Sequence, residues 1–490
     1  MSLEDYDVVI GLEAHAQLLT RTKMFCACRT SFGAPPNSQT CPVCIGMPGV
    51  LPVINRKALM LALRAAVAFG CRIPPTMRFD RKNYYYPDLP KNYQISQNYA
   101  PLGADGSVQI ETAAGRKKIG LDNIHLEEDA GKLLHPEGSG AGYSQVDLNR
   151  AGTPLLEIVT RPDMSNVEEV EAYMETLRRT LEALEISDCK MQEGSLRFEA
   201  SISLKPRGAG ELGKRVEIKN LNSTRAVLNA LEYEIRRQAA ALDAGRPLAQ
   251  ETRLWNEAAG RSERMRSKEE AQDYRYFPEP DLGPVVIGQE WLREVRESLG
   301  ELPNERKWRF EREYGLPSYD AAVLTDKREL ADYFEAAVEA GRADMADRSR
   351  LAKQVSNWVM GPVLKELNER RIAISDFPVA PGSLAELVAL IERGILSNSI
   401  AQQLLPIMIE TGGSPEALAR ERGMIQISDA SAVEGLVRRV LEANPKQTAE
   451  YRGGKQAVFG FLMGQVMRLA GGKANPQVVK EILARELQGR

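Results

Sequence analysis

Pro278-Glu-Pro-Asp-Leu-Gly-Pro284 places three prolines and a glycine in seven residues. Proline lacks the backbone N–H that a helix interior and a central strand both need, so neither element can run through this stretch. The chain is thereby cut into parts of different period. Before the cut, short runs of alternating apolar and polar residues are separated by Gly, Pro and Asn turns. Two stretches of helical period interrupt them, Asn166 to Leu184 and Arg225 to Leu242. After the cut, beyond a short run from Val285 to Ile287, the apolar spacing becomes three-and-four: Leu330 to Ala340, Leu351 to Asn368 and Leu384 to Arg393 all show it, as in Val355, Trp358 and Val359. A second break, rich in Gly and Ser, lies between Glu410 and Ser428 and precedes a last helical unit. The prediction is an α+β chain with a large sheet domain over 1–294, a helical domain over 295–410 and a small helical tail over 411–490. A length of 490 residues also suggests about three domains.

Membrane insertion is not expected, because no apolar run approaches the roughly 20 residues that span a bilayer. Met1 to Tyr6 is acidic and polar, unlike a secretory signal, so the expected compartment is the cytoplasm. The net charge of −3 argues against wholesale coating by nucleic acid, but an average hides local surfaces. Counted locally, Tyr451 to Arg490 carries seven basic residues, Arg452, Lys455, Arg468, Lys473, Lys480, Arg485 and Arg490, against Glu481 and Glu486. The tail is the basic end of the chain.

Four of the six cysteines cluster as Cys26-Ala-Cys28 and Cys41-Pro-Val-Cys44. Two thiol pairs joined by a short loop suit a tetrahedral zinc site, whose four sulfurs converge at about 2.3 Å from the ion. Four thiolates leave no open position for substrate, so a metal here would brace the 26–44 loop and take no part in chemistry. Cys71 and Cys189 stand alone and read as buried, structural residues.

Acids and bases recur on predicted strand faces. In Asp7 to Leu18, Glu13, His15 and Gln17 point one way while Leu12, Ala14 and Ala16 point the other. Alternation puts His125 and Glu127 together, with Glu128 and Asp129 able to turn toward another face. Ser195, Arg197, Glu199, Ser201 and Ser203 share a face opposite Leu196, Phe198, Ala200 and Ile202. Arg215, Glu217 and Lys219 share one opposite Val216 and Ile218. A solvated polar face produces the same alternation in any one run. Taken together, carboxylates for Mg²⁺ with Arg and Lys for phosphate are what an ATP-using site requires. Gly208-Ala-Gly-Glu-Leu-Gly-Lys-Arg215 mimics a P-loop, but Arg215 replaces the Ser or Thr that would ligate Mg²⁺. A strand also follows where that motif needs a helix, so the segment reads as a hairpin loop.

Several ordered motifs resemble the B-subunit family of aspartyl/glutamyl-tRNA amidotransferases. They are Gly11-Leu-Glu-Ala-His-Ala-Gln-Leu18, Phe79-Asp-Arg-Lys-Asn-Tyr-Tyr-Tyr-Pro-Asp88, Tyr93-Gln-Ile-Ser-Gln97, His125-Leu-Glu-Glu-Asp-Ala-Gly-Lys132, Val146-Asp-Leu-Asn-Arg-Ala-Gly-Thr-Pro-Leu155, Met191-Gln-Glu-Gly-Ser-Leu-Arg197, Glu217-Ile-Lys-Asn-Leu-Asn-Ser223 and Asp273-Tyr-Arg-Tyr-Phe-Pro-Glu-Pro-Asp281. In the tail, Tyr451-Arg-Gly-Gly-Lys455, Gly464-Gln-Val-Met467 and Gly472-Lys-Ala-Asn-Pro-Gln477 continue the likeness. The resemblance implies an antiparallel-sheet cradle for the large domain. It also implies a reaction in which ATP and Mg²⁺ phosphorylate the side-chain carboxylate of Glu on glutamine tRNA, or of Asp on asparagine tRNA. Ammonia then displaces the phosphate; a glutaminase A-subunit supplies it, and a small C-subunit ties the A-subunit to the B-subunit.

On those motifs, Glu13, His15 and Glu128 are expected to converge on Mg²⁺ with Glu217 near enough to assist. Histidine is an unusual ligand for so hard a cation, so Mn²⁺ is expected to bind more tightly. Lys82, Arg197 and Lys219 are the candidates for ATP or the acyl phosphate, with Glu127 and Ser195 as further catalytic residues. A hydroxyl beside Gly194 equally suits a turn. Cys26, Cys28, Cys41 and Cys44 are expected to hold structural Zn²⁺, and Arg452, Lys455 and Lys473 the body of the tRNA. The chain departs from the family after Arg197, where Phe198-Glu199-Ala200 replaces the common Cys-Asp-Ala. It shows neither the Ser-Ser and Lys pattern of an amidase nor a cysteine set with His and acid for glutaminase work, so its ammonia is expected from outside. Two other classes fit parts of the pattern: a non-catalytic tRNA-binding scaffold, and a stand-alone carboxylate-amine ligase acting on free glutamate or aspartate.

Overall fold

The computed structural model describes residues 3–134, 143–267, 273–345, 347–426, 430–471 and 474–488. It divides into two compact units, Met1–Leu302 and Pro303–Arg490. The first is built on a nine-stranded sheet. In chain order its strands are β1 (Tyr6–Gln17), β2 (Gly103–Ala104), β3 (Ser107–Thr112), β4 (Gly115–Glu128), β5 (Pro154–Thr160), β6 (Leu196–Pro206), β7 (Val216–Leu221), β8 (Glu251–Asn256) and β9 (Arg261–Ser267). Across the sheet they run β9-β8-β7-β6-β1-β5-β4-β2, and β3 also pairs with β4.

Neighbours are antiparallel except β7 and β8. A parallel pair needs a crossover, and helix Thr224–Asp243 supplies it. Arg207 to Arg215, the P-loop lookalike, is the connection between antiparallel β6 and β7. One face of the sheet is apolar: Leu12, Ala14 and Ala16 of β1, Ile124 and Leu126 of β4, Leu156 and Ile158 of β5, and Phe198, Ala200 and Ile202 of β6 are all buried. Helices Val167–Ala183 and Thr224–Asp243 pack on that side. Asn166 caps the first by accepting from Glu169 N, and Ser223 caps the second by accepting from Ala226 N.

A third helix, Arg56–Ala68, was not expected from the sequence. Its run Leu-Met-Leu-Ala-Leu-Arg-Ala-Ala-Val-Ala is apolar nearly all round, which leaves no clear three-and-four stripe. It packs against helix Gln289–Leu299, so the chain turns helical while still inside the first unit. A small sheet of Asp80–Asn83, Tyr93–Ser96 and Phe277–Pro278 brings Lys82, Gln94 and Ser96 over the polar end of β4.

The second unit is helical, with one core from Phe310 to Ala419 and another from Val433 to Leu487. The expected continuous helix from Leu351 to Asn368 is instead Arg348–Trp358, a widened turn Val359–Val363, and Leu364–Arg370. Pro362 sits in that turn; it removes one backbone donor, and the widening accommodates its ring. The tail packs helices Ala430–Ala443, Pro445–Arg452, Val458–Leu469 and Pro476–Leu487 around Val437, Leu462, Val466 and Leu483. No helix among the described residues is long and apolar enough to cross a membrane.

Candidate active site and cysteine cluster

The opposite face of the sheet carries the chemistry. Register sets His125 of β4 opposite Glu157 of β5, Glu157 opposite His15 of β1, and His15 opposite Arg197 of β6. One step along, Glu13 faces Glu199. Strand pairing alone therefore forces imidazoles, carboxylates and a guanidinium into adjacent columns. His15 Nε2 lies 3.3 Å from Glu157 Oε2, and His125 Nε2 lies 3.2 Å from that oxygen and 3.3 Å from Glu127 Oε1. Ligand atoms of His15, Glu127 and Glu157 all fall within 4.8 Å of one another, close enough to share one cation.

Glu127 is fixed from three sides. Ser96 Oγ donates to it at 2.6 Å, Gln94 Nε2 at 2.8 Å, and Lys82 Nζ stands 3.7 Å away, above the ring of Tyr274. Burial favours its neutral form, but Lys82 and His125 hold its carboxyl below the usual range. Burial likewise disfavours charge on His125, yet Glu157 and Glu127 raise it to about 10. Glu13 moves the other way: burial, with repulsion from Glu157 and Glu199, pushes it up to about 7. Glu13 is thus the carboxylate that meets uncompensated repulsion from its neighbours, and a divalent cation at its side would relieve it.

The group brought together differs from the expected metal set in two members, Glu128 and Glu217. Alternation sends Glu128 to the face opposite Glu127, where it is buried, accepts from Ile95 N at 3.0 Å and pairs with Lys91. Glu157, which the sequence reading did not single out, takes its place beside His15. Its signal was a lone acid inside the otherwise apolar Leu155 to Val159 run. Glu13 is adjacent to the group. Glu217 is not in it: Thr252 Oγ1 donates to Glu217 at 3.0 Å, and Lys219 bridges Glu217 at 3.0 Å and Glu199 at 2.5 Å. Lys219 lies two strands from His15, so Lys82, Arg197 and Lys219 are spread along the strip.

Arg197 Nη2 donates to Asp129 Oδ1 at 3.0 Å and borders a cavity of about 480 Å³, walled also by Gln17, Phe32, Arg150 and Asn222. Ser195 is committed to a turn; its hydroxyl donates to Asp188 and accepts from Lys190 N at 2.8 Å.

The four expected cysteines come together, with their sulfurs mutually within 4.8 Å and Cys41 to Cys44 at 4.0 Å. Tetrahedral zinc thiolates stand about 3.8 Å apart, so the set fits a metal after small adjustment. A hydrogen bond from Cys26, the Cys41 N–H and nearby Lys23 hold Cys44 down to about 4, so one thiolate is already favoured. In the tail, Arg452 caps the last helix through Leu487 O and Glu486 O, each at 3.3 Å, and Lys455 pairs with Glu450 at 3.0 Å. Lys473 lies outside the described residues.

Residues 8–293 match the family model of the GatB/GatE catalytic domain, and residues 332–487 match that of the GatB domain. The chain belongs to the B-subunit family of aspartyl/glutamyl-tRNA amidotransferases. Curated members of the family align with it end to end. The aspartyl/glutamyl-tRNA(Asn/Gln) amidotransferase B-subunit of Moorella thermoacetica is 50% identical over 483 residues, covering 99% of this chain and 100% of the relative. That of Geotalea uraniireducens is 51% identical over 485 residues, with the same coverage. That of Thermoanaerobacter pseudethanolicus is 50% identical over 482 residues, covering 98% and 99%. Both columns of the candidate site and all four cysteines fall inside the part matched by the catalytic-domain model. Membership makes the chain one component of a multi-subunit enzyme.

Proposed function

We propose that this chain activates the side-chain carboxylate of Glu on tRNA(Gln), of Asp on tRNA(Asn), or of both, for amidation in an ATP-dependent, glutamine-hydrolysing complex working alongside protein synthesis in the cytoplasm. The observation that carries the reading is the His15–Glu127–Glu157 group beside a cation-lined cavity on one sheet face, in a chain matched end to end by this family. A carboxylate is a poor acyl donor because its leaving group would be oxide. Transfer of the γ-phosphoryl of ATP gives an acyl phosphate, and attack by ammonia then expels phosphate.

His15, Glu127 and Glu157 would hold Mg²⁺, with Glu13 beside them; the donor set also suits Mn²⁺, since imidazole is a better ligand for it. Such a cation supplies charge neutralisation at the transferring phosphoryl group. Lys82 and Arg197, at either end of the group, supply fixed positive charge. Asp129 and Gln17 hold Arg197 toward the cavity, and Ser96 and Gln94 hold Glu127. Zinc on the four cysteines would brace the loop that walls the cavity. Ammonia would come from a glutaminase A-subunit, with a small C-subunit joining it to this chain.

The test is reconstitution with the partner subunits, labelled mischarged tRNA, ATP and ammonia. ADP should form only when mischarged tRNA is present, and amidated tRNA should accumulate. Binding without ATP consumption would favour a scaffold, and turnover of free glutamate or aspartate would favour a stand-alone ligase.

The basic tail is proposed to hold the tRNA body through phosphates, whose contacts weaken as salt rises because counterions are released. Arg452 and Lys455 are partly spent on Leu487 O, Glu486 O and Glu450, so the surface as a whole carries this role more than any one of them. Removing residues after 428 should raise KM for mischarged tRNA by about tenfold or more and flatten its salt dependence. Glutaminase activity of the partner without tRNA should change little. Unchanged tRNA affinity with loss of assembly would instead make the tail an assembly module.

A further inference from the structure

Asp129 is a buried carboxylate, 4% exposed at its side chain, that serves two arginines. Its Oδ1 accepts from Arg197 Nη2 at 3.0 Å; its Oδ2 accepts from Gln17 Nε2 at 2.8 Å and faces Arg150 Nε at 3.6 Å. Arg150 is further tied by Nε to Ala130 O at 3.0 Å and by Nη2 to Gly131 O. Those bonds leave the Nη1 groups of both arginines without a partner among the described residues. A Cβ added at Gly194, on the cavity wall, would come 3.9 Å from Arg150 Nη1, which shows how close that end of the fork comes to the wall. The side chains of Arg197 and Arg150 are 33% and 31% exposed, and both residues line the cavity of about 480 Å³.

Charge makes this arrangement selective. Two guanidinium groups share one carboxylate, so one positive charge is left over. The other acids on the same wall have cations of their own nearby: Asp147 stands opposite Lys132 across a strand pair, and Glu193 pairs with Lys190 at 3.1 Å. With Arg150 fixed at Nε and Nη2, Arg197 fixed at Nη2, and both Nη1 ends open, the two planar forks are suited to bind an oxyanion between them, which a lysine in either place could not do in the same way.

We propose that Arg150 and Arg197, splayed from Asp129, form a two-guanidinium clamp for an oxyanion of the substrates, with Asp129 and Gln17 as its positioning residues. The proposal rests on the functional reading above and deepens it. Two sources offer the same chemistry: the phosphates of ATP and the side-chain carboxylate of the mischarged aminoacyl group. In both cases the clamp contacts substrate directly, and Asp129 acts through the arginines.

The test uses the assembled complex carrying Arg150→Met, Arg150→Lys, Asp129→Asn or the Asp129→Asn/Arg150→Met pair. Affinity for a non-hydrolysable ATP analogue without tRNA, KM for mischarged tRNA, binding of tripolyphosphate and Tm are measured. A charge-assisted bond lost without replacement should weaken one ligand by about tenfold or more in Arg150→Met and Asp129→Asn, with kcat changing less. Because Asp129 works through Arg150, the pair should lose less than the product of the single losses. Weaker ATP analogue binding assigns the clamp to phosphate; a higher KM for mischarged tRNA with unchanged analogue binding assigns it to carboxylate. In both cases tripolyphosphate should bind the variants more weakly than the wild type, and Arg150→Lys should recover part of the loss.

Ligand affinities equal to wild type, whatever happens to Tm, would overturn the clamp and leave a structural latch. A wild-type complex that consumes no ATP with mischarged tRNA would refute the functional reading instead. Tripolyphosphate binding would then still decide the clamp, and equal binding by wild type and variants would overturn it.

Discussion

Glu127→Gln should lower tRNA-dependent ADP formation by at least about 10²–10³-fold, the loss that follows removal of one fixed electrostatic group at a reacting centre. Gln keeps the volume and an acceptor for Ser96 and Gln94, so the fold should survive. What goes is the charge that faces Lys82 and His125 and completes the His15–Glu157 group. Mn²⁺ affinity, followed by the spin resonance of the free ion, should fall in parallel. Glu128→Gln is the control one residue away. It should spare Mn²⁺ affinity but lower Tm, because it leaves buried Lys91 without its counter-charge, and breaking such a pair costs about 3–5 kcal/mol. If Glu127→Gln retains near-normal turnover and Mn²⁺ binding, the metal site lies elsewhere.

The contrast between those neighbours shows where the sequence was legible. Two-residue alternation placed Glu13, His15 and Gln17 together, Arg197 with Glu199, and Glu217 with Lys219, and the sheet sets each on the polar face. The same parity separates Glu127 from Glu128, and alternation already set them on different faces; Glu128 was put with the metal because it lies in the matching family motif, not because of its face. What alternation cannot supply is register. Which column His15 joins depends on how β1 slides against β5 and β6, and that is set by long-range core packing of Leu156, Ile158 and Phe198. Glu157 was missed because its strand is buried on both faces and shows no alternation. Arg150 sits in a loop, where no period applies; only the surrounding motif marked it. Helices Val167–Ala183 and Thr224–Asp243 were visible because each has one apolar stripe and a side-chain cap, whereas Arg56–Ala68 has no polar face of comparable width. Pro362 stands where the helix predicted from Leu351 to Asn368 is interrupted; apolar spacing continues across it, so spacing alone forecast neither the break nor the widened turn.

Replacing Cys41 and Cys44 together by Ser should abolish metal content and lower Tm more than any surface substitution. A structural zinc site contributes about 10–16 kcal/mol of apparent binding free energy in small zinc peptides. Only part of that reaches global stability here, because Met1–Leu302 has a large core of its own. The loop is the part at risk. It is laced to the segment that carries Arg150: Asn37 Nδ2 donates to Val146 O at 2.9 Å, Gln39 N to Asn149 Oδ1 at 2.8 Å, and Lys23 Nζ to Leu148 O at 3.3 Å while standing 3.5 Å from Cys44 Sγ. Phe32, between the two cysteine pairs, lines the cavity. Losing the metal should therefore raise KM for substrate about tenfold or more through the displaced wall, with hydrogen exchange rising first in residues 26–44 and 146–153. Elemental analysis of the purified complex should give one zinc per chain in the wild type and none in the variant. A wild type free of zinc, or a variant with unchanged Tm, exchange and KM, would show that the four thiols hold this loop without a metal.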